Sequence, residues 1–301
     1  MASTLDSDAA RTLDLAERIV APPQRSARRL SLGLLAAYLL LSLGAVVMVV
    51  PFIWMVLTSL KTAPELLEFA FLPKNPTLAN YRNVLTTSSF PRWYFNSVFI
   101  AGITTLSVAI FDSLAGYTLN KFNFPGKNII FLGILATLMV PTEMLIIPWY
   151  QMSVDLGWHL GYWQYWGIAF PGVITATGIF LMRQFFDGVP NELLDAARMD
   201  GVNEFGIWRR IAMPLVKPAV AALCIFNFIG NWNAYLWPLI IASQREFYTL
   251  PVGLSFFRGE STVEWEKIMT AASLATIPLL LVFIIFQRQI IKGIALTGMK
   301  S

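Results

Sequence analysis

The fifth of six long apolar stretches in this 301-residue chain carries Asn227, Asn231 and Tyr235 four residues apart, with Trp232 and Asn233 beside them. Amides donate and accept hydrogen bonds to hydroxyls, and aromatic faces cover the apolar faces of a sugar ring, so a helical stripe of this kind can line a path for a hydroxyl-rich solute. The same asparagines can equally bond neighbouring helices and hold a bundle together. Glu143 stands between Pro141 and Pro148. Prolines there free backbone carbonyls and bend a helix, which is tolerated only beside protein or a water-filled cavity. A gate or pathway residue is its functional reading. Asp112, toward one end of the second stretch, can reach interfacial water or pair with a base on another helix, and no substrate role is assigned to it.

The remaining chemistry-bearing residues are sparse. Cys224 is the single cysteine and lies in the fifth stretch, so neither an intrachain disulfide nor a Cys-based metal site can form, and it reads as a small packing residue. His159 is the single histidine, a loop residue among Gly157, Trp158 and Tyr162 with no second imidazole to complete a metal site. No phosphate-cradling glycine loop, nucleophile elbow or zinc-binding helix motif occurs. The expectation is a chain that is not an enzyme and holds no cofactor or metal, drawing on an energy source located elsewhere.

The elements that must position these residues are helices in a bilayer. With 56% hydrophobic and 13% charged residues, the chain is too apolar for an ordinary soluble domain. Stretches long enough to cross a membrane fall at 31–58, 95–118, 128–149, 165–186, 216–242 and 270–291. The third is the least clean, because Pro141, Glu143 and Pro148 interrupt it. Residues 1–30 read as a cytosolic tail, broken at Pro22-Pro23, ahead of a first span too long for a signal peptide. With both termini on one side, fifteen of the 22 Lys and Arg residues fall on that side, which the positive-inside rule makes cytoplasmic. The formal charge of +4 therefore needs no nucleic acid to explain it. The loop at 59–94 is too polar for lipid and caps the external face, where Trp149, Tyr150, Trp158, Tyr162, Trp163, Tyr165 and Trp166 form an interfacial aromatic belt.

Between the fourth and fifth spans, at about 187–218, the chain keeps a polar, Gly- and Pro-punctuated cytoplasmic loop. Pro190 suits a first helical turn, Leu193, Ala196 and Ala197 fall on one face, and Gly201 is placed to end the helix in a left-handed conformation. Two alanines on the outer face would let another protein approach the backbone closely. A second short segment follows, with Phe205, Trp208 and Ile211 at helical spacing and Arg209-Arg210 beside them.

Asp195-Ala196-Ala197, three residues, Gly201, nine residues, Ile211, one residue, Met213-Pro214 resembles the EAA loop of integral-membrane subunits of binding-protein-dependent ABC importers, with Asp195 in place of Glu and Met213 in place of Leu. The turn Lys121-Phe122-Asn123-Phe124-Pro125-Gly126-Lys127, the run Tyr235-Leu236-Trp237-Pro238, Leu250-Pro251-Val252-Gly253-Leu254 and the ending Gln287-Arg288 through Ile291-Lys292-Gly293 are similar to the carbohydrate-importing branch. Within that branch the likeness is to the second permease subunit of maltose and glycerol-3-phosphate importers. The resemblance implies an all-α, six-span fold of the type I importer permease (MetI-like) kind over 31–301, in a bacterial inner membrane. It implies a coupling helix, with Asp195, Ala196, Ala197, Asp200, Gly201, Ile211 and Pro214 as ATPase-coupling residues. The substrate path would be lined by Glu143, Asn227, Asn231, Trp232 and Tyr235. Implied partners are a second permease, two ATP-binding subunits that hold ATP and Mg, an external solute-binding protein and a carbohydrate or polyol. The leading alternative is a secondary transporter driven by an ion gradient, which needs intramembrane ionisable groups for its ion path; Asp112 and Glu143 are a thin supply. An assembly scaffold or membrane enzyme is the third class.

Overall fold

The computed structural model describes residues 32–68, 70–86, 88–256 and 264–298, with side chains described as far as 287. The expected tail at 1–30 lies outside the described residues, as do Arg258 and Lys300 of the charge count. The chain divides into two compact units, Met1–Pro51 and Phe52–Ser301. In the first, the described residues 32–51 are helical and belong to α1 (Leu32–Ser59), with Pro51 inside the helix.

In the second unit a short 3-10 turn, Pro64–Leu67, and α2 (Ala79–Thr86) precede α3 (Phe90–Lys121). Asn80 Nδ2 donates to the carbonyls of Ser59 and Lys61 at 2.9 and 2.8 Å, closing this loop on itself. The chain continues through α4 (Lys127–Thr137), α5 (Ile146–Asp155), α6 (Gln164–Ala169), α7 (Ala176–Asp187), α8 (Asn191–Met199), α9 (Glu204–Ile207) and a π-helical turn, Trp208–Ala212. It ends with α10 (Met213–Leu215), α11 (Lys217–Trp232), α12 (Leu236–Ile241), α13 (Leu250–Ser255) and α14 (Trp265–Gly298). No strand occurs among the described residues.

Three described helices are long and apolar enough to cross a membrane: α1, α3 and α14 as far as Gln287. The expected third span is bent where its prolines interrupt it, the expected fourth is a bent pair as well, and a third bend falls where the 187–218 loop enters the expected fifth span. Lys127–Thr137 and Thr142–Asp155 meet at 95°, Gly161–Gly172 and Ala176–Asp187 at 48°, and Glu204–Leu215 and Lys217–Trp232 at 86°. The count of spans is therefore three to six, according to whether each pair is taken as one. Proline accompanies each break: Pro141 precedes the turn Thr142–Leu145, and Pro171, Pro214 and Pro218 lie in the first turns of short helical segments within two residues of the other corners, each removing a backbone donor there. The fifth stretch also stops early, since α11 ends at Trp232 and Asn233 leaves helical geometry at φ −91° and ψ 0°.

The long helix α3 is the spine, packed along α7 and α11, while α11 also packs on α14. One core joins Val108 and Tyr117 of α3 to Met182 and Phe186 of α7, Leu194 and Ala197 of α8, and Ile207, Trp208 and Ala212 of the following segment. The loop at about 187–218 is thus continuous with the bundle interior.

Candidate functional site

Asn191 opens α8 one residue after Pro190, and Lys121 holds this start by donating from Nζ to the Val189 carbonyl at 2.6 Å and to Asn191 Oδ1 at 3.0 Å. The helix ends as its glycine predicts. Gly201 takes φ +78°, its N–H donates to the Arg198 carbonyl at 3.0 Å, and the Val202 N–H donates to the Ala197 carbonyl at 3.0 Å. These two bonds satisfy carbonyls that a helix end leaves without partners, and they require the left-handed residue between them. Asn203 then caps α9, its side chain accepting from the Gly206 N–H at 2.8 Å.

The two alanines do not share a face. Ala196 is exposed, whereas Ala197 is 6% exposed and packs inward beside Leu194 in the core. A 100° turn per residue separates adjacent positions, and the apolar cluster beneath α8 takes Leu194 and Ala197 together at i and i+3. The outward face is instead Leu193, Ala196 and Met199, with Phe205 exposed on α9. Asp195, Asp200, Gly201 and Pro214 are exposed too, while Ile211 packs half-buried against the core.

Sequence reasoning missed what binds the two short helices together. Arg198 Nε donates to Glu204 Oε1 at 2.6 Å and its Nη2 to Glu204 Oε2 at 3.2 Å, while Nη1 reaches Asp195 Oδ1 at 2.6 Å. Tyr117 of α3, 2% exposed, donates its hydroxyl to Glu204 Oε2 at 3.3 Å. The Arg198 guanidinium holds the Glu204 carboxyl below the ordinary carboxylate range, and Glu204 in turn raises Arg198. The available signal was an arginine and a glutamate six positions apart across a capping glycine.

The expected solute path comes together only in part. Asn227 and Asn231 face the break of the fourth span. Asn227 Nδ2 donates to the Gly172 carbonyl at 3.4 Å, and Thr105 Oγ1 of α3 donates to Asn227 Oδ1 at 3.4 Å. Asn231 Nδ2 donates to Asn227 O at 2.9 Å and Oδ1 at 3.1 Å. Tyr235 leaves the stripe because α11 has already ended; it is exposed ahead of α12. Trp232 offers no face to a solute: it is 2% exposed, stacked on Phe228 and set edge-on to Tyr94. Glu143 is exposed on the 3-10 turn Thr142–Leu145, where the third span breaks, and makes no hydrogen bond or ion pair among the described residues.

Asp112 meets neither interfacial water nor a base. It is fully buried, accepting from the Thr175 N–H at 3.1 Å and from the Thr175 hydroxyl at 2.7 Å. Thr175 in turn caps α7, its hydroxyl accepting from the Gly178 N–H at 3.0 Å. Ser107 donates to the Val173 carbonyl at 2.7 Å, so α3 satisfies backbone groups on both sides of the corner. Of the aromatics of the expected belt, Trp149 and Trp158 turn inward to Phe170, with ring centroids 5.7 and 5.6 Å away, while Tyr162 and Trp163 are exposed. His159 accepts at its carbonyl from Ser243 Oγ at 3.3 Å, and its ring Nδ1 is buried without a partner. Among the described residues no cluster of three or more His, Cys, Asp or Glu side chains is placed to hold a metal.

Residues 112–296 match the family model described as the binding-protein-dependent transport system inner membrane component. The chain is 36% identical over 93% of its length, and 98% of the relative's, to the arabinooligosaccharides transport system permease protein AraQ of Bacillus subtilis. It is 32% identical over 87% of its length, and 96% of the relative's, to the sn-glycerol-3-phosphate transport system permease protein UgpE of Brucella abortus. Its structure aligns with a TM-score of 0.77 and 25% identity to a bacterial ABC transporter involved in the import of the acidic polysaccharide alginate, covering 89% of this chain and 99% of that one.

Proposed function

The chain belongs to the family of binding-protein-dependent transport system inner membrane components, and on that premise we propose that it is the permease subunit of an ATP-driven carbohydrate importer. It is a transport component and not an enzyme. The observation that carries the reading is the α8–Gly201–α9 loop, which stands with an exposed apolar face of Leu193, Ala196, Met199 and Phe205 while its opposite face is built into the core of the bundle. Apolar side chains grouped on a polar loop mark a contact surface. A separate ATP-binding subunit seated there would pull on a segment whose inner face packs in one core with α3 and α7.

In this reading two such subunits hold ATP and Mg, a second permease completes the membrane assembly, and an external binding protein delivers the solute. Both termini and the loop lie on the cytoplasmic side. The relatives' names support an oligosaccharide or a polyol phosphate as cargo. Asn227, Asn231 and Glu143 remain the residues to test for contact with it. An ion-gradient mechanism has less to draw on, because Asp112 spends its oxygens on Thr175 and Glu143 is an exposed residue of the turn Thr142–Leu145.

The test is reconstitution in proteoliposomes with the permease and ATP-binding subunits that co-purify with the tagged chain and a binding protein encoded alongside. Uptake of arabino-oligosaccharides, glycerol 3-phosphate or alginate oligosaccharides that requires both ATP and the binding protein is expected. Uptake driven by an ion gradient without ATP would overturn the reading.

A further inference from the structure

Between α8 and α9 the chain turns through Asp200–Asn203, with left-handed Gly201 inside the turn, so a pull on α8 has a ready place to dissipate. The side chains close that hinge. Arg198, in the last turn of α8, grips both carboxylate oxygens of Glu204, the first residue of α9, at 2.6 and 3.2 Å. A planar guanidinium bound at two points fixes direction as well as distance, which a lysine ammonium cannot do. The same carboxylate receives the Tyr117 hydroxyl at 3.3 Å, and Tyr117 is wedged edge-on between Phe122 and Phe186, with centroids 5.9 and 5.4 Å away.

We propose that Arg198, Glu204 and Tyr117 form a strut that makes the coupling helix and the cytoplasmic end of α3 move as one body, so that displacement of α8 reaches the spine of the bundle instead of being absorbed at Gly201. This rests on the reading of the loop as the contact for an ATP-binding subunit. All three are positioning residues, since none of them needs to touch that subunit or the solute. Asp195, which also holds Arg198, is 66% exposed at its side chain and lies on α8 itself, so it steers the guanidinium without bridging the turn.

The experiment uses the assembled complex with Cys224→Ser, and nitroxides at Glu192→Cys on α8 and Leu106→Cys on the exposed side of α3. The spin–spin distance is read without nucleotide and after trapping with ATP and vanadate. The strut predicts one distance in both states for the parent, and a shift only on trapping for Tyr117→Phe and Arg198→Lys, with the ATP-binding subunit retained in each. Uptake per ATP hydrolysed should fall about threefold or more in both variants. A parent distance that changes on trapping, variants that hold the parent distance, or variants that lose the ATP-binding subunit would each overturn the strut. A parent complex that neither retains an ATP-binding subunit nor traps nucleotide would instead sink the importer reading.

Discussion

Asp112 on α3 and Gly178 on α7 approach so closely that a β-carbon at position 178 would stand 2.0 Å from Asp112 Oδ2. The missing side chain lets a buried carboxylate sit over the first turn of α7, where it binds Thr175 and satisfies the corner of a broken span. A lone carboxylate in a membrane segment ordinarily suggests ion or solute handling. Here its oxygens are taken up by Thr175, the residue that caps α7.

The geometry predicts that Gly178→Ala will disrupt the corner, and that Asp112→Ala will leave the Thr175 N–H unpaired at a cost of about 1–3 kcal/mol. Thermal unfolding in detergent is the measurement. Because both changes act on one contact, the double variant should be less destabilised than the sum of the singles. Simple additivity would show that the two positions are independent.

Gly201→Ala should cost about 1–2 kcal/mol, the penalty for a left-handed non-glycine residue, because a β-carbon there meets nothing within 4 Å. Gly201→Asn should be milder. Gly201→Val should lower the stimulation of ATP hydrolysis by loaded binding protein more than it lowers the yield of assembled complex. Unchanged stimulation and uptake at normal assembly would remove this turn from the coupling path.

Ala196 and Ala197 should now behave differently. Ala196→Trp is expected to reduce co-purification of an ATP-binding subunit while the permease itself folds. Ala197→Trp overpacks a core and should lower stability by about 1–3 kcal/mol before any docking is measured. Equal effects on docking and folding at both positions would contradict the assigned faces.

Asn231→Leu distinguishes a path from a packing joint. Its amide is spent on Asn227, and Asn227 reaches Gly172 and Thr105, so the change should lower thermal stability. Normal stability with uptake lost would place Asn231 on the solute path.

The Glu204 carboxyl is held low in the folded chain, chiefly by its hydrogen bond to Arg198. A depressed carboxylate contributes stability above its unfolded pKa, and that contribution is lost as pH falls through the folded value. Stability of the loop should therefore decline on acidification below the ordinary carboxylate range, by a step that Glu204→Gln lacks. Hydrogen exchange at the α8 and α9 amides reads it.

Local rules made much of this protein legible from its residues alone. The apolar stretches announced a polytopic helical chain because a bilayer demands internally satisfied backbone. Gly201 ended α8 because left-handed geometry is local to one residue, and the spacing from Asp195 to Pro214 carried the family resemblance. Tertiary structure decided which side of each helix faces what. Hydrophobic spacing placed Ala196 and Ala197 together, yet only the core beneath α8 selects Leu194 and Ala197 for the inside. The stripe through Asn227, Asn231 and Tyr235 assumed a helix that continues, whereas α11 ends at Trp232. Asp112 with Thr175, 63 positions apart, and Tyr117 with Glu204, 87 apart, are bonds between distant segments. Such pairs exist only once α3 is packed against its neighbours, because a hydrogen bond depends on a few ångströms and an angle that no spacing within one segment specifies.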